Sequence, residues 1–461
     1  MKSLISCNLN MSSVTLQKKI GEYIPIEMGI LLSHLPFKLR LGRDYKQYQE
    51  LIEKLLKTDT EHRKSFIVES FRNIVTHFKN SNDFYARHLG SLDSWSENIT
   101  DLGDIARFPL LTKSKLKAVS LCERSNKKLA LKEFNTGGTT GVPLSFFVEN
   151  NFYSREWSHM HFIWKRVGYD PSRTKVTIRG KSLKNICQYN FNQNEFLINA
   201  YHTYDSRDYS ELLRIFKKYN TEFIHGYPSS IYGFLKDASD KAPYLIDFFK
   251  KNIKGIMFGS EYPSPQYRTF IEDLLTENSI SWYGHTEGVI LACELNKKYE
   301  YVPFLSYGYA EAVKIDNYYH LVGTSFSNLA SPFIRYDTED LIDPYFDEMG
   351  ILKSFKINQG RIGEFVTDKN GNHISLTALI FGRHHKLFNV VDFIQVRQNN
   401  PGSITVYYSS TSIIENAREL FDSSNLHIDI QFEQVREPYR TALGKIPLLI
   451  RTPYEATDSE L

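Results

Sequence analysis

The chain is poor in cysteine: Cys7, Cys122, Cys187 and Cys293 are all that its 461 residues carry. No two of them stand at metal-ligand spacing and no disulfide framework is built from them, so a reducing, cytoplasmic setting is the natural one. An excess of charge is also lacking. The 56 basic and 53 acidic residues leave a net charge of +3, too little for a nucleic-acid partner held by bulk electrostatics. Long apolar runs are absent. The most apolar stretch near the N-terminus, residues 23–37, is interrupted by Pro25, Glu27, His34 and Pro36. It is too short and broken for a transmembrane segment and lacks the order of a signal peptide. A peripheral contact with the inner face of the membrane through this segment stays open as an alternative. The chain has no G-x-G-x-x-G, no Walker phosphate loop, no internal repeat and no low-complexity tract.

What is present describes an ordinary globular protein, with 41% hydrophobic and 24% charged residues and aromatics at 14%. The length calls for two or more domains. Residues 43–80 carry apolar side chains at helical spacing, among them Leu51, Ile52, Leu55, Phe71, Ile74 and Phe78. Between about 110 and 345, strand-like runs such as 175–178, 223–224 and 255–258 alternate with helical patterns such as 209–219, which suggests an α/β architecture. Beyond about 358 the strand-like segments 364–367, 393–397 and 403–408 surround one helix near 412–421, with a further strand expected at 427–431. That region reads as a small α+β domain.

The most informative local feature is Thr136-Gly137-Gly138-Thr139-Thr140-Gly141. Three glycines let a backbone bring its N–H groups close to an anion, and three threonines add hydroxyls for phosphate oxygens or a magnesium shell. The strand-like segment 144–148 follows, so the loop is expected to lead into or join a β-hairpin. Such a run is also common in ordinary turns. Its neighbours along the chain separate the two readings.

Four further segments fall in order with it: Tyr283-Gly284-His285-Thr286-Glu287, Arg335-Tyr336-Asp337-Thr338-Glu339-Asp340, Gly360-Arg361, and Arg440-Thr441-Ala442-Leu443-Gly444-Lys445-Ile446. Together with the loop they resemble the motif series of adenylate-forming acid ligases. Phe108-Pro109-Leu110-Leu111-Thr112-Lys113 and Gly226-Tyr227-Pro228-Ser229-Ser230-Ile231-Tyr232 resemble the phenylacetate–coenzyme A ligase family, and within it the branch found in capsular polysaccharide biosynthesis. The likeness extends over roughly residues 35–450.

The resemblance implies an α/β fold with a large N-terminal domain, residues 1–358, of which 1–105 form a mainly helical extension. A small mobile C-terminal α+β domain, 359–461, would carry the catalytic Lys445. It implies ATP and Mg²⁺, a small carboxylic acid substrate, and a thiol or amine acceptor, coenzyme A among them. The loop 136–141 would hold the β- and γ-phosphates; Glu287, with Thr140, would organise Mg²⁺; Asp340 would accept from both ribose hydroxyls. Tyr283, Gly284, His285 and Thr286 would border the nucleotide with Gly259, Ser260 and Glu261. Arg361 would mark the change of domain, its pivot lying over 360–363, with Gly382-Arg383 as a competing pivot. His225, Gly226, Tyr227 and Pro228 would line the acid pocket. His384-His385 reads as solvated surface, since adjacent residues seldom point the same way. The sequence departs from the family at Gly138, Leu144, Glu339 and Gly363. A catalytically silent member serving as a scaffold in glycan assembly remains the alternative, and nothing in the sequence sets an oligomeric state.

Overall fold

Asp59 divides the N-terminal helical region. Its carboxylate accepts the His62 N–H at 2.9 Å, a cap that starts a new helix, so the helical region expected over 43–80 consists of two helices. The computed structural model describes residues 24–36, 39, 43–89, 99–130, 132–135, 144–179, 183–199, 202–259, 261–263, 265–315, 318–359, 365–376, 379–380, 383, 385–391, 393–410, 412–437, 439 and 448–450. It opens with helices α1 (Ile26–Ser33), α2 (Arg43–Lys57), α3 (Thr60–Ser81), α4 (Asp83–His88), α5 (Leu102–Ala106) and α6 (Lys113–Lys117). Strands β1 (Lys132–Asn135) and β2 (Ser145–Val148) then pair antiparallel, Asn135 with Ser145 and Lys132 with Val148. The hairpin expected around the Thr/Gly loop is therefore present; residues 136–143 themselves lie outside the described residues.

After α7 (Phe152–Lys165) come β3 (Lys175–Ile178), β4 (Cys187–Asn190), β5 (Glu195–Ile198), α8 (Ser206–Lys218), β6 (Phe223–Gly226), α9 (Pro228–Lys241), α10 (Pro243–Asn252), β7 (Gly255–Phe258), α11 (Pro265–Leu274) and β8 (Ser279–Gly284). The alternation expected from the sequence gives parallel neighbours β5, β3, β6, β7 and β8. Every residue of β3, β6 and β7 is buried, because helices cover both faces of this half of the sheet. On one face Val176, Ile178, Ile224 and Phe258 pack on Leu212, Leu235 and Ile271 of α8, α9 and α11. On the other, Phe223, Met257 and Trp282 meet Ile163 and Trp164 of α7 and Ile52 of α2.

Strands β9 (Leu291–Glu294), β10 (Tyr301–Pro303), β11 (Gly308–Ile315), β12 (Tyr318–Ser325), β13 (Tyr336–Phe346) and β14 (Leu352–Gln359) continue the sheet antiparallel. Twelve strands result, ordered β11-β12-β13-β14-β10-β9-β8-β7-β6-β3-β5-β4. The junction between the two halves rests on Arg268, whose guanidinium forks onto Glu294 at 2.6 and 3.0 Å. Glu294 also accepts the Ser281 N–H at 2.9 Å, which locks the start of β8 to β9.

Past Gln359 the chain builds smaller sheets around a core of its own, with Val366, Leu379, Ile394, Val406 and Ile430 at its centre. β15 (Phe365–Thr367) pairs with β16 (His373–Ser375). β17 (Phe393–Asn400), β18 (Ser403–Ser409), β19 (Asp429–Gln434) and β20 (Leu449–Ile450) form a sheet ordered β19-β18-β17-β20. The helix expected near 412–421 contracts to α12 (Ala417–Leu420), and the strand expected at 427–431 sits at 429–434. His385 is not solvated surface. It is buried, its Nε2–H donates to the Leu379 carbonyl at 2.8 Å, its Nδ1 accepts the Asp422 N–H at 2.8 Å, and its ring stacks on Phe421 at 3.7 Å. Packing of the small core around an aromatic pair turned it inward; His384 and Gly382 lie outside the described residues. No helix among the described residues is long and apolar enough to cross a membrane.

Two stability predictions follow from this framework. Arg268→Ala leaves Glu294 buried without its partner and is expected to cost about 3–5 kcal/mol in urea denaturation. His159 is fully buried, its Nδ1–H on the Arg155 carbonyl and its Nε2 accepting from Ser306 Oγ, each at 2.8 Å. Burial holds its pKa down to about 3, so the folded state keeps it neutral while the unfolded chain takes up a proton below about 6.5. The stability it supports is whole above that pH and falls as pH drops toward 3, by up to about 1.4 kcal/mol per unit. Wild type should lose about 1.6 kcal/mol through this group between pH 6.5 and 5, a loss that His159→Asn should lack in the same titration.

Candidate active site

Ligand sites in open α/β sheets lie at the carboxyl ends of the parallel strands, and here those ends are tied together by backbone bonds. The Tyr227 N–H reaches the Ile178 carbonyl at 3.1 Å, and the Gly259 N–H reaches the Gly226 carbonyl at 3.1 Å. Gly226 has φ +153°, and a Cβ there would fall 1.9 Å from the Ile178 oxygen, so only glycine fits. A Cβ on Gly259 would strike the Trp282 ring at 2.1 Å. The indole thus lies hard against the chain at the end of β7.

Of the residues expected in the acid pocket, His225 is buried behind the wall. Its ring sits against Trp164 at 5.0 Å and Trp282 at 5.6 Å. Its Nδ1 lies 2.9 Å from the Met257 carbonyl, which can only accept. Nδ1 therefore carries the proton, and Nε2 accepts from the Arg179 guanidinium. Burial first, and the Arg179 charge second, hold His225 well below the ordinary imidazole value. Tyr227 is half-buried and Pro228 opens α9.

Strand alternation then sends the two residues at the end of β8 to opposite faces. Trp282 packs with α7, whereas Tyr283 joins the core on the other side. The Tyr283 hydroxyl donates to Asp340 Oδ2 at 2.6 Å. Asp340 owes its position to an irregularity in the β12–β13 ladder: Val322 pairs with Asp337 and His320 with Leu341, so Leu321 alone faces residues 338–340. The turn is closed by the Glu339 N–H on Asp337 Oδ1 at 2.8 Å and Thr338 Oγ1 on the Leu321 carbonyl at 2.7 Å. Glu339, which stands where the family pattern has glycine, has φ +64°. That is the left-handed conformation glycine adopts without a Cβ penalty.

Past Gly284, the turn presents His285, Thr286 and Glu287. The Ile290 N–H lies 3.3 Å from His285 Nε2, so Nε2 is the acceptor and Nδ1–H donates to Glu287 Oε2 at 3.1 Å. The Tyr336 hydroxyl donates to Glu287 Oε1 at 3.1 Å. Burial, reinforced by the Glu287 charge, raises the Tyr336 phenol well above its ordinary value, so it remains a donor. Glu287 is 7% exposed, a carboxylate held by two donors and not a surface glutamate; Thr286 is exposed. Glu261, buried, joins Tyr262, Trp282, Tyr283 and Asp340 around an open hollow of about 340 Å³. A larger hollow of about 620 Å³ between α2, α3 and the strands β10, β11 and β14 is mostly apolar. Converging polar groups distinguish the smaller one. Among the described residues no group of three or more His, Cys, Asp or Glu side chains could hold a metal.

The structure thus brings Gly259, Glu261, Tyr283, Gly284, His285, Glu287 and Asp340 to one edge, with Gly226 beside them. The loop residues Thr136, Gly137, Gly138, Thr139, Thr140 and Gly141, together with Ser260, Arg361, Lys445 and the pivot at 360–363, lie outside the described residues. The sequence reading assigned no role to Arg335. This residue has φ +48° and is buried; its guanidinium pairs with Glu311 at 3.0 and 3.2 Å and donates to the Ala106 carbonyl at 2.7 Å and to that of Phe108. An arginine directly before the Tyr-Asp of a buried strand was the available signal. For Glu339, substitution by glycine should leave urea stability unchanged or raise it by up to about 1 kcal/mol, whereas Glu339→Val should lower it by about 1–2 kcal/mol.

Comparison with known proteins adds the following. No family model matches the chain. Protein CapK of Staphylococcus aureus is 24% identical over 409 residues, covering 84% of this chain and 87% of CapK. The crystal structure of 2-hydroxyisobutyryl-CoA ligase in the postadenylation state, in complex with R3-HIB-AMP, superposes with a TM-score of 0.52 at 14% identity, over 86% of this chain and 91% of that one. The same ligase in complex with 2-HIB-AMP and CoA in the thioesterification state gives 0.52, over 85% and 90%. The chain has the fold of an adenylate-forming ligase, a large mixed α/β sheet followed by a smaller C-terminal unit.

Proposed function

We propose that the protein activates a carboxylic acid with ATP as an acyl-adenylate and then transfers the acyl group to a thiol or amine. One observation carries the reading: two buried carboxylates, Glu287 and Asp340, are each held by a tyrosine hydroxyl at the same edge of the parallel sheet. Their fold is that of a ligase crystallised with an acyl-AMP.

In the first step a carboxylate oxygen attacks the α-phosphorus, the bond to the β-phosphate oxygen breaks, and pyrophosphate leaves with that electron pair. Both reactants are anions, so charge neutralisation and in-line positioning dominate. Asp340 suits the ribose: Oδ2 already accepts from Tyr283, which orients the carboxylate for two hydroxyl donors. Glu287 would hold Mg²⁺ together with substrate phosphates, since it is a buried carboxylate and hard cations take oxygen ligands. Bound there, the ion would offset phosphate charge. His285 and Tyr336 keep Glu287 aimed. By their motifs, residues 136–141 would grip the β- and γ-phosphates, and Lys445, following Arg440-Thr441, would bring an ammonium to the α-phosphate; Arg361, by the same series, would mark the change of domain. In the second step the acceptor's lone pair attacks the acyl carbon, AMP leaves with the anhydride electrons, and the acceptor loses its proton. The Gly226–Tyr232 stretch supports a role in surface polysaccharide biosynthesis.

Acid-dependent exchange of labelled pyrophosphate into ATP, run over an acid panel, tests the reading. Glu287→Gln and Asp340→Asn should each lower exchange at least about 100-fold, and Lys445→Ala should abolish it while ATP binding persists. Silence across a broad panel together with no ATP binding by wild type would favour a scaffold subunit instead. Adding coenzyme A or amines to the active acid then identifies the acceptor.

A further inference from the structure

Three charged side chains, two cations and one carboxylate, gather on the α7-facing side of β3 and β5, and only one of the cations is within ion-pair distance of the carboxylate. The strand alternates Lys175, Thr177 and Arg179 toward this face. Lys175, fully buried, has Glu195 at 3.6 Å and the Tyr169 hydroxyl at 3.2 Å. Glu195 in turn accepts from Thr177 Oγ1 at 2.6 Å and Asn190 Nδ2 at 2.8 Å. Against the effect of its burial, the charges of Lys175 and, after it, Arg179 draw the Glu195 carboxyl down. Arg179, the residue that leaves β3 at its carboxyl end, has no carboxylate within ion-pair distance among the described residues. The side chain is half-buried; its hydrogen bond there goes to neutral His225, and only its Nε is buried with no partner.

A guanidinium carries five donors in a rigid fork that matches a carboxylate or phosphate, and removing it from water is costly unless an anion receives it. His225 fixes the fork in place, since its ring is clamped between Trp164 and Trp282. Trp282 lies across β8 from Tyr283 and Asp340, so Arg179 belongs to the face opposite the proposed ribose contact. We propose that Arg179 receives a second oxyanion of the acid substrate, remote from the carboxylate that is activated, and that the protein is selective for dianionic acids. This inference rests on the acid-activating reading above.

Pyrophosphate exchange without any acceptor isolates the acid from coenzyme A or amine contacts. The probes are glutarate against pentanoate, adipate against hexanoate, and 3-phosphonopropionate against butyrate; the last pair separates a phosphonate from a carboxylate as the favoured second anion. Wild type should prefer the dianion of at least one pair by 10-fold or more in kcat/KM. Arg179→Met should raise the KM for that acid about 100-fold with the KM for ATP unchanged, and Arg179→Lys should recover part of the loss. Preference for the monoanions in every pair, an equal loss for all acids in Arg179→Met, or a raised KM for ATP would overturn the inference while leaving acid activation intact. Calorimetric titration of the same acids into wild type and Arg179→Lys, without ATP, reads the site even in a protein that shows no exchange. Dianion binding weakened at least 10-fold by the substitution supports it, and no dianion binding by wild type refutes it. Failure of exchange with every acid, by contrast, counts against the activation reading itself.

Discussion

The buried ion pair of Arg335 with Glu311 is the contact on which the candidate site depends. From its place just before β13, one guanidinium joins the carboxylate of β11 to the carbonyls of Ala106 and Phe108. Through it the segment after α5 is pinned, and Leu111 exchanges backbone bonds with Arg335 and Asp337 at 2.9 Å each. Tyr336, the next residue, then stands where its hydroxyl meets Glu287. Desolvating an ion pair of this kind gains little net stability, but losing one partner is costly because the other charge is stranded. The pair therefore acts as a constraint on geometry more than as a source of stability.

A second constraint sits further along β13, on the same side of β8 as Tyr336. The irregular turn at 338–340 could not form in a regular ladder, where Asp340 would be one more sheet residue. Its backbone runs through a left-handed residue that is not glycine, and the hydrogen bonds of Asp337 and Thr338 hold it there. The strain is local, and its result is a carboxylate delivered to Tyr283. Both carboxylates of the site are thus aimed by phenols whose own positions come from sheet packing.

Much of the architecture was legible beforehand. The alternation of strand-like and helical segments between 110 and 345 led to the parallel half of the sheet, because period and length are local properties of the sequence. Glu287 and Asp340 were found as members of an ordered motif series, and both prove to be buried at one edge. Less legible were features that depend on what lies across space. His385 read as surface because adjacent histidines seldom point the same way, yet it packs on Phe421. His225 was assigned to a pocket wall, and tryptophans from α7 and β8 cover it. Arg179 drew no attention, since a basic residue at a strand end is unremarkable until its partners can be counted.

The sequence by itself determined the kind of fold, the order of its elements and the residue types at the candidate site. Those follow from hydrophobic period, glycine and proline punctuation, and motif spacing, which act along the chain. Only the tertiary structure decided which carboxylates are buried, which tautomers His225 and His285 adopt, and that Arg179 meets a neutral imidazole. These are properties of pairs brought together from distant positions, where burial sets the strength of every charge and hydrogen bond.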